Sequence, residues 1–328
     1  MIALSLGAGA SAAEAAGLAN IAASVTVQKL RRTGTANGDE ILNLYRDVRY
    51  IHQPELAAHT GSAKYLAGGN IEICAAPEKG AVKYALFDHD GTISTLRAGW
   101  EEVMVPMMTN AILGSKSHPE STVERVRNEV ISYIDSSTGI QTILQMETLC
   151  RMVEEAGLAP KDEILTSLEY KAIYNNGLMA KVGERMEAVR RGEKHPQDFV
   201  IAGALDFLKV LNNRGITIYL ASGTDQDDVH REAEYLGYKE FFNGGIYGAV
   251  GDISQYSKKK LLREIIEENK LEKGELLVIG DGPVEIQECR RQNGTAIGIA
   301  SNEETGVGVN SQKRTRLIRA GAHFIVPD

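Results

Sequence analysis

Asp88 and Asp90 flank His89 in "ALFDHDGTIS" (85–94), and Gly91 and Thr92 follow at once. The aliphatic run before them reads as a strand, so both carboxylates leave a strand tip, where positions i and i+2 face one side. Two carboxylates held that close need a cation beside them to stay ionised. Mg2+ suits the pair, because it takes oxygen ligands and commonly sits between one or two carboxylates and a substrate phosphate. An aspartate on the metal, facing phosphorus, can attack it, while its neighbour gives and takes a proton at the leaving oxygen. Taken alone, the same string also reads as an Asx turn after a strand.

Three later stretches follow in order. "IYLASGT" ends an apolar run at Ser222, whose hydroxyl could hydrogen-bond a phosphoryl oxygen or simply cap a helix. "SKKKLLREII" sets Lys258, Lys259 and Lys260 at a helix start, where the macrodipole disfavours a cation unless an anion is near. As a lone feature it reads as a solvated basic turn. "LLVIGDGPVEI" closes another run at Asp281, with Glu285 four residues on. A third acidic strand tip in one sheet again calls for a cation.

The elements that must hold these residues are legible too. "VKYALFD", "ITIYLAS", "ELLVIGD" and "TAIGIAS" are compact, aliphatic and β-branched, the pattern of strands buried on both faces of a parallel sheet. Helices such as "GALDFLKVLNNRG" lie between them. This alternation predicts an α/β fold, an open doubly wound parallel sheet of Rossmann type, with ligands at the carboxyl ends of the strands. Residues 81–94 and 200–328 would form that core. Residues 95–199 carry almost no strand signal. Stretches at 100–114, 119–135, 139–158 and 161–193 show apolar residues at helical spacing, with Pro119 and Pro160 near helix starts and Gly157 and Gly192 near helix ends. They predict an α-helical bundle inserted after the first strand. Residues 1–80, rich in Ala and Gly, would be a short α-rich extension.

Taken together, FDHDGT, Ser222, the lysine at 258 or 259 and GDGPVE closely resemble the haloacid dehalogenase-like hydrolases over roughly residues 83–328. Four motifs in order make the likeness highly specific. The resemblance implies that Asp88 is a nucleophile forming an aspartyl-phosphate. It implies that Asp90 is the acid/base and lends its backbone carbonyl to Mg2+, and that Asp281 completes the metal site. Ser222 and Gly223 would hold phosphoryl oxygens, with Gly91 and Thr92 also on the substrate side. Lys258 would neutralise charge shared by Asp88 and the phosphate, although Lys259 and Lys260 remain alternatives.

His89 stands where the family usually has a hydrophobic residue, and is expected to be structural. Glu285 stands where many members have aspartate, and would orient the lysine or a metal-bound water. Asp90 sets the chain apart from phosphonate-cleaving relatives, which have a small residue there, and from dehalogenases, which lack this acid. The inserted helices resemble the family's cap, which closes over the crevice and selects substrate. "DSSTGIQT" (135–142) would begin a cap helix with exposed N–H groups, bringing Thr138, Gly139 and Gln141 to the substrate. Arg97 and Trp100 are further substrate contacts on this reading, with helix packing an equal account of Trp100.

"MIALSLGAGASA" also reads as a strand followed by GxGxxA, but no acidic residue ends a second strand about 20 residues on. The stretch from Gly9 to Leu42 more closely resembles the carboxyl-terminal end of ribokinase-type carbohydrate kinases. It has an Ala-rich helix, a β-like segment with Gly34, and a final helix from Asp39, a likeness covering about residues 1–48. That family's anion hole and catalytic aspartate would lie upstream of Met1, so no kinase activity is expected. The extension would instead dock a kinase domain or a second copy of this chain.

Of the 328 residues, 43% are hydrophobic and 24% charged, with a net charge of −8. That balance lacks the basic footprint of a nucleic-acid or anionic-membrane binder and leaves small anionic substrates open. No apolar run reaches membrane-spanning length. The Ala-rich start lacks a basic region and is interrupted by Glu14, unlike a secretory signal. Cys74, Cys150 and Cys289 form no CxxC pair, which disfavours disulfides and zinc and fits a reducing cytoplasm. The expected function is Mg2+-dependent hydrolysis of a small phosphate monoester, sugar-like in character. The alternatives are a sugar phosphomutase, which shares every motif, and a non-catalytic scaffold docking through residues 1–80.

Overall fold

The computed structural model describes the whole chain except residues 28, 30–34, 48–50, 251–256, 304, 306 and 307. It divides into two compact units, Met1–Tyr50 and Ile51–Asp328. The first holds α1 (Ile2–Gly7), α2 (Ala12–Val27) and α3 (Gly38–Asp47). Ile21, Ala22 and Val25 of α2 bury against Ile41 of α3. The Ala-rich helix and the helix beginning at Asp39 therefore form, and no strand opens the chain. The β-like segment expected around Gly34 lies outside the described residues.

The second unit opens with α4 (Pro54–Ala58), β1 (Lys64–Tyr65) and β2 (Glu72–Ile73), then β3 (Tyr84–Phe87). Four inserted helices follow: α5 (Glu101–Leu113), α6 (Glu120–Ser137), α7 (Thr142–Ala156) and α8 (Ser167–Arg190). The chain then runs α9 (Ala204–Asn213), β4 (Thr217–Asp225), α10 (Gln226–Tyr235), β5 (Gly245–Ala249) and α11 (Lys258–Asn269). It ends β6 (Leu276–Gly280), α12 (Pro283–Arg291), β7 (Thr295–Ile299), α13 (Ser311–Ala320) and β8 (Phe324–Val326). The sheet order is β1-β2-β8-β7-β6-β3-β4-β5. Strands β3 to β8 are parallel, and β1 and β2 add antiparallel at one edge. This is a mostly parallel α/β sheet with surrounding helices and a helical cap.

Residues 51–80, grouped by the sequence with the N-terminal extension, fall in the second unit, and their strands β1 and β2 join this sheet. Strand β2 pairs with β8, and Glu72 takes a bidentate ion pair from Arg314 of α13 at 2.6 and 2.7 Å, both side chains buried. Strands of two residues carry no periodic signal, so only the pairing reveals them.

The cap buries Met104, Met108, Val126, Val130, Met146 and Leu149, positions at helical spacing in the sequence. Gly157 takes φ +60° to close α7, as the sequence suggests. The long stretch from 161 begins its helix later than expected, because Thr166 and Glu169 form a capping box that starts α8 at Ser167. In the core, Phe87 pairs with both Leu220 and Ile279, so β3 and β6 end nearly level while β4 runs on to Asp225. Asp88 and Asp281, just past their strands, then stand at about the height of Ser222 within β4. Among the described residues no helix is long and apolar enough to cross a membrane, and the three cysteines are free.

Candidate active site

Strand β3 stops at Phe87, and the amides of Ile93 and Ser94 turn back onto the His89 carbonyl at 2.9 and 3.0 Å. Gly91 allows the turn with φ +72°, and any Cβ there would run into the Asp281 carboxylate. Asp88 is buried at the tip, with Lys258 Nζ 2.6 Å from its Oδ1. Lys258 is the first residue of α11, whose cap is Ser257 accepting from the Lys260 amide at 3.1 Å. The anion that excuses a lysine at that position is Asp88. Lys260 pairs instead with Glu264 at 3.8 Å near solvent, so of the neighbouring lysines it is Lys258 that reaches the cluster.

Asp88, Asp281 and Glu285 each bring a carboxylate oxygen within 4.8 Å of the others. Glu285 is fully buried, accepting from the Gly282 amide at 2.8 Å and facing Lys258 at 3.4 Å. Burial pushes the Asp88 carboxyl well above its ordinary range; Lys258 opposes this, and the Glu285 and Asp281 charges add to it. Burial likewise raises Glu285 against the pull of Lys258. An oxygen-only donor set of this kind fits a hard divalent ion such as Mg2+.

Asp90 is held on all sides. Its Oδ2 accepts from Thr224 Oγ1 at 2.9 Å and from Ser222 Oγ at 3.3 Å. Its Oδ1 faces His89 Nδ1 at 3.4 Å and Arg97 Nε at 3.9 Å. Burial would raise this carboxyl, but His89, then Arg97 and the Thr224 hydrogen bond, outweigh it and hold Asp90 below the usual carboxylate range. His89 is fully buried, with Nε2 2.7 Å from the Tyr238 hydroxyl. It thus fills a core position while touching Asp90. Arg97 lines the cavity, but Glu232 at 2.6 Å and Asp228 at 3.1 Å occupy its guanidinium.

Asp281 carries a second set of contacts that the sequence did not announce. Its Oδ2 lies 2.9 Å from Lys313 Nζ and 3.5 Å from Arg316 Nη2, and its carbonyl accepts from Arg316 at 3.1 Å. Lys313 also pairs with Glu303. Burial pushes Asp281 up, yet Lys313 and Arg316 outweigh it and keep the carboxyl low. "SQKRTR" at the start of α13 reads as a solvated basic face, and only the fold buries it.

These groups floor a cavity of about 90 Å³. Ser222 and Gly223 line the core side, and Thr138 and Gly139 the cap side, with Arg97 and Trp100 beside them. A Cβ on Gly223 would lie 2.6 Å from the Ile140 carbonyl, and one on Gly139 2.7 Å from Glu285 Oε2. Glycine at both points is what lets the cap loop touch the core. Gln141 is buried at the N-cap of α7, Gly91 lies against Asp281, and Thr92 is buried; none of the three is among the lining residues. Lys171, Asn175, Thr224 and Asp225 do line it and went unnoticed in sequence.

A family model described as haloacid dehalogenase-like hydrolase matches residues 82–291, well over half of the chain. The chain belongs to the haloacid dehalogenase-like hydrolases. Among solved structures, one titled "a predicted phosphatase" from Clostridium acetobutylicum is 18% identical, covering 76% of this chain and 95% of its own, with a TM-score of 0.46. A hydrolase from Pseudomonas syringae is 20% identical, with 75% and 94% coverage and a TM-score of 0.46. A haloacid dehalogenase-like protein from Streptococcus pneumoniae is 18% identical, with 74% and 93% coverage and a TM-score of 0.44. No curated protein matches the sequence.

Proposed function

We propose that the protein is a Mg2+-dependent phosphomonoester hydrolase acting, in the cytoplasm, on a small phosphorylated metabolite of sugar-like character. The observation that carries this reading is Lys258 at 2.6 Å from Asp88, with Asp281 and Glu285 oxygens within 4.8 Å, on the floor of a capped cavity. Asp88 attacks phosphorus and the leaving alkoxide takes a proton from Asp90. Asp90 then takes a proton from water as that water hydrolyses the aspartyl-phosphate. The His89, Arg97 and Thr224 contacts favour the carboxylate form of Asp90, which suits this second half.

Ser222 and the Gly223 amide hold phosphoryl oxygens, and Lys258 offsets the charge they share with Asp88. Asp88, Asp281 and the Asp90 carbonyl would hold Mg2+, which when bound supplies the positive charge that draws phosphate and carboxylate together. The cap excludes bulk water during both steps.

The test is release of inorganic phosphate from an aryl phosphate with no bisphosphate activator present. Activity should vanish with EDTA and return with Mg2+. Asp88→Asn should lower turnover by at least about a thousandfold while the fold persists. Activity indifferent to EDTA, or Asp88→Asn at wild-type rate, would overturn the assignment. Strict dependence on a bisphosphate would mark a phosphomutase.

A further inference from the structure

The walls of the cavity carry information about the leaving group. Five carboxylates line it (Asp88, Asp90, Asp225, Asp228 and Asp281) against three cations (Arg97, Lys171 and Lys258). Each cation already faces carboxylates. Lys258 has Asp88 at 2.6 Å, Arg97 has Glu232 at 2.6 Å and Asp228 at 3.1 Å, and Lys171 has Asp225 at 2.6 Å. Away from the phosphoryl end, Arg97 and Lys171 are the cations lining the wall, and both are engaged. A second phosphate or a carboxylate on the substrate would have to break one of these pairs and then face acidic neighbours.

Hydroxyl groups meet a better reception. Thr142 and Gln145 stand three residues apart on α7, and Lys171 and Asn175 four apart on α8, so each pair presents one helix face to the cavity. The carboxamides and the hydroxyl offer both donors and acceptors, while Trp100 and Leu178 supply apolar wall for carbon.

We propose that the leaving group is an uncharged polyol, and that the Lys171–Asp225 pair is the device that rejects substrates bearing a second anion. The proposal rests on the phosphatase reading above. Lys171 comes from the cap and Asp225 from the end of β4, so the pair joins cap to core beside the substrate. Asp225 leaves Lys171 no charge to offer a carboxylate.

The experiment compares kcat/KM for size-matched phosphate esters in Mg2+: glycerol 3-phosphate and erythrose 4-phosphate against phosphoglycolate, 3-phosphoglycerate and phosphoethanolamine, with glucose 6-phosphate and an aryl phosphate alongside. The neutral polyol esters should exceed the carboxylated and cationic esters by at least tenfold. In Asp225→Asn, Lys171 is unpaired, and the ratio of phosphoglycolate to glycerol 3-phosphate should rise at least tenfold. A ratio within one sample is insensitive to the fraction folded. Preference for a carboxylated or cationic ester in the wild type, or an unmoved ratio in Asp225→Asn, overturns the proposal even if aryl phosphate is hydrolysed. No turnover of any ester would instead sink the phosphatase reading beneath it.

Discussion

Asp281 must present one oxygen to the cluster around Asp88 while its Oδ2 is fixed by Lys313 at 2.9 Å. Partners of that kind orient a metal ligand, and losing one typically costs about 10–100-fold in metal affinity or activity. Lys313→Met should therefore weaken Mg2+ binding by about tenfold or more, read by titration calorimetry without substrate, and Lys313→Arg should recover most of it. An unchanged dissociation constant in Lys313→Met would remove this role. Lys258 and Lys313 also show where sequence stops being legible. A lysine opening α11 needs an anion and so betrays itself. A lysine three residues into α13 looks like any solvated cation until the fold sets it between Asp281 and Glu303.

The contact between the last residues of β4 and the loop before α7 decides how the cap meets the core. Gly223 lies where a Cβ would sit 2.6 Å from the Ile140 carbonyl, and its neighbour Ser222 touches Asp90. Gly223→Ala should push the cap loop outward and lower kcat/KM by about tenfold or more, since small misplacements near the reacting atoms are costly. Chemical denaturation should shift little, because the pairing of β4 with β5 is already interrupted between Ala221 and Asp225. If kcat/KM holds within twofold, the cap does not depend on that contact. Legibility followed burial. Strands β3, β4, β6 and β7 stood out because they run aliphatic on both faces. Strand β5, with glycine at two of its five positions, and the three residues of β8 did not.

His323 ties the last strand to the rest of the second unit. Its ring is buried, with Arg290 against Nε2 and the Ala296 amide donating to Nδ1 at 3.0 Å. Burial first, then the Arg290 charge, lower its pKa from 6.5 to about 4. The unfolded chain therefore takes up a proton below pH 6.5 that the native ring refuses until about pH 4. Stability from this group is complete above pH 6.5 and falls as the solution is acidified through that window. Thermal unfolding at a series of pH values should show a shallower acid slope in His323→Asn than in the wild type. Equal slopes would mean that the ring does not titrate as described.

By itself the sequence determined which residues could do chemistry and which strands present them, because a motif at a strand tip and a run of aliphatic residues are both local properties. It also placed the helical insertion and singled out Asp88, Asp90 and Asp281 as the metal set, with Glu285 in support, whereas the carboxylates that cluster are those of Asp88, Asp281 and Glu285. The tertiary structure decided which side chains face them: Thr224 and Arg97 on Asp90, Lys313 and Arg316 on Asp281, Lys171 on Asp225. Except for Arg97, seven residues from Asp90, those partners lie tens to hundreds of residues away. Only packing strips away the water that would otherwise make them indistinguishable from an ordinary surface.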